Sequence, residues 1–199
     1  NHGNPTGLYN GMIAPIVPYA VKGAIWYQGE SNVGEGMLYH DKMKALIAGW
    51  RDVFNKKDLS FHFVQLAPYR YNRGDALPNI WEAQVATLKV PGTGMAIITD
   101  IGNTQDIHPR NKQDVGKRLA LWALAKDYGK GNSVYSGPLY KSMQVEGNKI
   151  RIKFEHTGAG LVSRDGKDLT DFMISSSNGG FVAAKAVIDG HAVIVSAED

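Results

Sequence analysis

The segment Asp106-Ile107-His108-Pro109 sets an acid beside an imidazole just before a proline, a combination suited to proton transfer. Proline disfavours the α conformation in the residue before it, so His108 is expected to be extended, at the N-cap of a helix that Pro109 opens. The positive end of a helix disfavours an imidazolium, which keeps the ring neutral and able to accept a proton. Asp106 can hold the ring through its other nitrogen, the part an acidic orienter plays beside a catalytic histidine. The plainer reading, a histidine that only caps a helix, is not removed by these four residues alone.

A second constellation is Trp26-Tyr27-Gln28-Gly29-Glu30-Ser31-Asn32-Val33-Gly34. The Gln28 amide can donate to a developing oxyanion, Gly29 lets substrate approach closely, and Asn32 can donate in the same way. A polar turn without chemistry has the same composition. Residues 29–33 resemble the nucleophile elbow G-x-S-x-G, but Val33 replaces the last glycine, which argues against Ser31 as nucleophile. In residues 68–77, Tyr69, Arg70, Tyr71 and Arg73 form a basic aromatic loop. Arg70 suits bidentate recognition of a sugar carboxylate, although a solvated basic loop reads the same way. His62 alternates within an apolar run and is expected in the core or on a face of the sheet. His40 falls near a helix start, and His156 and His191 fall in turns. No histidine and carboxylate share metal-ligand spacing, and no phosphate or dinucleotide loop is present, so neither a metal nor a cofactor is expected.

These loops need a frame. Short apolar runs at residues 22–27, 61–67 and 94–99 alternate with helical patterns, the signature of βαβ units and a parallel sheet. The first helix sets Met43, Leu46, Ile47, Trp50 and Phe54 on one face, a second follows from Pro78, and the third carries Val115, Leu119, Trp122 and Ala123. Ligands of open parallel sheets bind outside the carboxyl ends of the strands, which selects residues 28–36, 68–77 and 100–108. After residues 128–132 the pattern changes to short alternating stretches with turns at Gly179-Gly180 and Gly190-His191. Two domains are expected, residues 1–132 (α/β) and 133–199 (antiparallel β).

The chain has 199 residues, 43% hydrophobic and 21% charged, with a formal net charge of +3. That composition supports a packed core. Arg110, Lys112, Lys117, Arg118, Lys126 and Lys130 cluster around the third helix and read as a solvated face, so no nucleic-acid partner is expected. There are no cysteines, which removes disulfides and thiolate chemistry. That fits a cytosolic or a bacterial exported protein. No membrane span is expected, and the expected location is bacterial periplasmic or secreted.

Residues 8–15 (LYNGMIAP) with 22–32 (KGAIWYQGESN), then Asp106-Ile107-His108-Pro109 with Asn111-Lys112, Val115-Gly116 and Arg118-Leu119-Ala120, resemble the sialate O-acetylesterase family. The resemblance covers residues 8–130 closely. It implies an SGNH-type hydrolase fold, a flavodoxin-like three-layer α/β/α sandwich, followed by a β-domain. It also implies cofactor-free hydrolysis of O-acetyl esters on sugars by a serine and a histidine. On that implication the family histidine is His108, Gln28, Gly29 and Asn32 face the oxyanion and substrate, and Glu30 supports their loop. The family's serine lies in an N-terminal Gly-Gln-Ser-Asn block that these residues do not contain. The serine is therefore expected from a segment or chain outside this sequence, with the isolated chain inactive. Many SGNH enzymes carry the acid three residues before the histidine, where this chain has Gln105, so either Asp106 serves from an unusual angle or the enzyme works as a serine–histidine dyad. The fold is expected to be incomplete at its N-terminus, leaving the edge of the strand at residues 22–27 open to a partner strand. Acetylxylan or another acetylated sugar is the alternative substrate, and a non-catalytic carbohydrate-binding fragment the alternative of another class.

Overall fold

Phe61 and Phe63 alternate with His62 and Val64 along one short strand, and all four are buried. Successive strand side chains point to opposite faces, so a strand buried throughout must be covered on both sides. A computed structural model, which describes residues 4–17, 19–72, 74–131 and 133–197, shows that cover.

Strands β1 (Gly23–Trp26), β2 (Ser60–Val64) and β3 (Thr93–Ala96) form a parallel sheet in that order. Ala24 pairs with Phe61, and Phe61 with Thr93. Helix α1 (Leu38–Val53) covers one face, where the Trp50 ring meets Phe61 edge-on at 6.1 Å. Helix α2 (Ala76–Thr87) packs on α1. Helix α3 (Lys112–Lys126) covers the other face, where Val115 and Leu119 join Val64, Ala67, Ala96 and Ile98 in one apolar cluster. Helices on both faces of a parallel sheet make the three-layer arrangement expected. Each buried aromatic or aliphatic side chain contributes about 1.5–3 kcal/mol to that packing.

Two local details differ from the sequence expectation. Helix α2 starts at Ala76, so Pro78 sits inside its first turn, where a missing N–H costs no helical hydrogen bond. Helix α3 starts at Lys112, not at Pro109. Asn111 takes the N-cap: its Oδ1 accepts the Asp114 N–H at 3.1 Å and its Nδ2 donates to Asp114 Oδ2 at 2.7 Å. Asparagine is a strong N-cap, and the reciprocal pair with the third helical residue outcompetes a proline-led start.

Chain contacts divide the molecule between Tyr135 and Ser136. The second unit contains β4 (Leu139–Glu146), β5 (Lys149–Glu155), β6 (Met173–Ile174), β7 (Val182–Ala183), β8 (Lys185–Asp189) and β9 (Ala192–Ser196). Strands β4, β5, β9 and β8 form an antiparallel sheet in that order, and β6 pairs with β7. Gly190-His191 closes the β8–β9 hairpin, with Gly190 at φ 60°, a conformation glycine adopts without strain. Ala186, Val193 and Val195 are the buried centre of this unit.

Candidate functional site

The three loops leaving the carboxyl ends of β1, β2 and β3 are held together by specific contacts. The Arg70 backbone N–H donates to the Thr104 carbonyl at 3.0 Å, joining the second loop to the third. Gly102 lies so close to Pro68 that an added Cβ would stand 2.6 Å from its Cδ. Tyr27 of the first loop and Ile101 of the third pack on the same apolar cluster beneath them. Helix α3 reaches the first loop through Lys112, whose Nζ lies 4.6 Å from the Tyr27 ring centroid.

The first loop is held by hydrogen bonds at several of its polar atoms. The Tyr39 hydroxyl donates to the Gln28 carbonyl at 2.7 Å, and the Gly29 N–H donates to Glu30 Oε2 at 3.0 Å. The Asn32 N–H donates to the Gly29 carbonyl at 2.8 Å, and Gln28 Nε2 donates to Asn32 Oδ1 at 3.0 Å. Gly29 sits at φ 145°, where an L side chain is strained, and an added Cβ would stand 2.9 Å from the Tyr39 hydroxyl. Residues 30–35 then form a 3-10 turn that includes Ser31, which is exposed.

Burial pushes the Tyr39 hydroxyl up to about 12, with the charges of Glu30 and Glu35 adding to the effect. The Tyr27 hydroxyl is raised by burial, then by Glu30 and Tyr71. Tyr71, stacked edge-on against Tyr69 at 5.1 Å, is raised by burial, then by Glu30 and Tyr69. Burial first and Glu30 second thus raise all three phenols, which stay protonated at neutral pH. Arg70 is exposed, and Arg73 lies outside the described residues.

The second loop owes its start to α2. Gln84 Oε1 accepts the Leu66 N–H at 3.0 Å, Gln84 Nε2 donates to the Val64 carbonyl at 3.1 Å, and Trp81 Nε1 donates to the Leu66 carbonyl at 2.8 Å. These side chains take over where β1 stops pairing with β2, and Gln84 is fully buried in doing so. The third loop is braced by Arg118, which donates to both oxygens of Asp100 at 2.6 and 2.7 Å and to the Ile97 carbonyl at 2.5 Å. Hydrogen bonding to Asp100 is the main cause that raises the Arg118 pKa further.

His108 is exposed on this third loop, four residues ahead of α3 rather than at its N-cap. Asp106 Oδ1 accepts the His108 backbone N–H at 2.9 Å. The carboxylate that the sequence placed on the ring is therefore spent on an Asx turn, because a two-residue spacing suits the backbone donor better than the side chain. No side chain among the described residues hydrogen-bonds the His108 ring. Buried Pro109 anchors the loop beside it.

Tyr39 and Gln84 were not singled out by the loop motifs, yet each left a sequence signal. Tyr39 begins the stripe Tyr39, Met43, Ile47, and Gln84 lies in the stripe Ile80, Ala83, Gln84, Thr87. A polar group on a buried helical stripe must find a partner.

Residues 2–125 match the family model of carbohydrate esterases described as sialic acid-specific acetylesterases. The chain is 38% identical over 158 residues to a sialate O-acetylesterase of Rattus norvegicus, covering 69% of this chain and 29% of that protein. It is 35% identical over 162 residues to the Homo sapiens sialate O-acetylesterase, covering 71% and 31%. The chain thus spans under a third of the length of these relatives. A crystal structure of a carbohydrate acetylesterase from Xanthomonas citri superposes with a TM-score of 0.91 at 42% identity, covering 98% of this chain and 46% of that one.

Proposed function

We propose a function from one premise: this chain belongs to the carbohydrate esterase family of sialic acid-specific acetylesterases. It supplies the histidine and the oxyanion loop of an esterase that removes O-acetyl groups from sialic acids. The observation that carries this reading is His108, exposed at the carboxyl end of the parallel sheet with its backbone pinned and its ring uncommitted. In the reaction, His108 takes the proton of a serine contributed from outside these residues, and that serine attacks the acetyl carbonyl. The Gln28 amide donates to the oxyanion, an interaction worth about 3 kcal/mol at such sites. His108 then passes the proton to the departing sugar hydroxyl, and water releases acetate by the reverse route. Asp106 holds the histidine's backbone, and the pair works as a serine–histidine dyad. Arg70 is the candidate contact for the sugar carboxylate.

The segment bearing the serine adds a strand to the free edge of β1, where Ile25 is 67% exposed. An open apolar edge favours such pairing. The test is acetate release from O-acetylated sialic acid by the isolated chain, by the chain mixed with its serine-bearing segment, and by the intact enzyme. Turnover in the last two and none in the first is expected. Turnover by the isolated chain would place the nucleophile within it, and none in any would leave a carbohydrate-binding role. The Xanthomonas structure, described more broadly as a carbohydrate acetylesterase, favours another acetylated carbohydrate as the second reading, for which acetylxylan is the substrate to try. Running both substrates in parallel separates the two.

A further inference from the structure

The Gln28–Gly29 peptide is gripped at both ends by groups that do not belong to it. Its carbonyl accepts from Tyr39 of α1 at 2.7 Å, and its N–H donates to the Glu30 carboxylate at 3.0 Å. Tyr39 is 3% exposed, and its ring lies against the Gly29 backbone closely enough that any side chain there would collide with it. The following carbonyl, that of Gly29, is taken by the Asn32 N–H. The Gly29 N–H is committed, while Gln28 Nε2 gives one hydrogen to Asn32 Oδ1 and keeps the other.

We propose that Tyr39 and Glu30 are positioning residues that fix the plane of the Gln28–Gly29 peptide, so that the Gln28 side chain, and not the Gly29 N–H, serves as the oxyanion donor of this loop. The inference rests on the esterase reading above. Rotation of an unclamped peptide would free the Gly29 N–H and swing the Gln28 amide away from Asn32. A buried phenol that stays protonated through neutral pH remains a donor at every working pH, so the clamp does not titrate with the reaction. Preorganised donors are effective because they need no reorientation as charge develops.

The test is a double-mutant cycle in the intact enzyme, with thermal melting recorded for each variant. Gln28→Ala is expected to lower kcat by about 10²–10³-fold. Tyr39→Phe keeps the ring and is expected to lower kcat by about tenfold with KM within twofold, as loss of one hydrogen bond allows. In the Gln28→Ala background Tyr39→Phe is expected to change kcat by less than twofold, because it acts through Gln28. Glu30→Gln, which retains an acceptor, is expected to keep most activity that Glu30→Ala loses. Additive effects of Tyr39→Phe and Gln28→Ala would overturn the proposal, as would a rise in KM at unchanged kcat. Wild-type kcat in Gln28→Ala overturns it while leaving the esterase reading intact, provided His108→Ala is inactive. Full activity in His108→Ala would sink the esterase reading itself.

Discussion

Two histidines in the parallel-sheet unit each have an aspartate close by, and the two contacts differ in kind. His62, on β2, is 2% exposed, and its Nε2 lies 2.8 Å from Asp127 Oδ2. The other oxygen of Asp127 accepts from the Ser60 hydroxyl at 2.5 Å. His108 is exposed, and its aspartate two residues away bonds the backbone and leaves the ring alone. The first arrangement ties the end of α3 to the middle strand. The His62 ring is almost wholly enclosed. The second leaves an imidazole on a braced loop with its proton-carrying atoms free. A histidine–aspartate contact is therefore not in itself a sign of catalysis, and the proposed function rests on the exposed His108 rather than on the buried pair.

The contrast can be broken most decisively at His108. His108→Ala in the intact enzyme is expected to lower kcat at least about 10³-fold with an unchanged melting temperature. A fall in melting temperature with activity retained would reverse the two roles. Asp127→Ala strips a partner from buried His62 and from half-buried Ser60 at once and is expected to cost about 3 kcal/mol in urea unfolding, since one side of a buried pair is removed. Activity per folded molecule should not change. Gly94→Ala probes the same buried centre from its other side. The added Cβ would meet Trp122 Cε3 at 2.5 Å and His62 Nδ1 at 2.7 Å, so a loss of about 1–3 kcal/mol is expected from overpacking. The smallest effect is expected from Asp106→Asn. Its amide oxygen still accepts the His108 N–H, so kcat should stay within about fivefold of wild type. A drop of about 10⁴-fold would instead mean that Asp106 reaches the ring during turnover, as a triad acid does.

Much of the frame was legible before any coordinates. The apolar run at residues 22–27 contains β1, those at 61–67 and 94–99 overlap all but the first residue of β2 and β3, and the stripe from Met43 to Trp50 lies within α1. The Gly190-His191 hairpin was equally readable, because a two-residue turn between alternating stretches is a local signal. His62 was expected in the core or on a face of the sheet, and it is buried. The start of α3 was misjudged because two local rules competed, a proline at the first turn and an asparagine cap, and the cap with its Asp114 partner prevailed.

By itself, the sequence determined the period and order of the elements, the three loops that emerge at one end of the sheet, and the identity of the residues in them. Those are consequences of side-chain alternation and turn chemistry over a few neighbouring residues. Only the tertiary structure decided which polar groups those residues meet. Tyr39 reaches Gln28 across 11 positions, Gln84 reaches Leu66 across 18, and Asp127 reaches His62 across 65. A carboxylate at the end of α3 even opposes the helix dipole, and only its distant partners account for it. Such bonds are set by how layers pack, and burial obliges each polar group to find a partner without dictating which one.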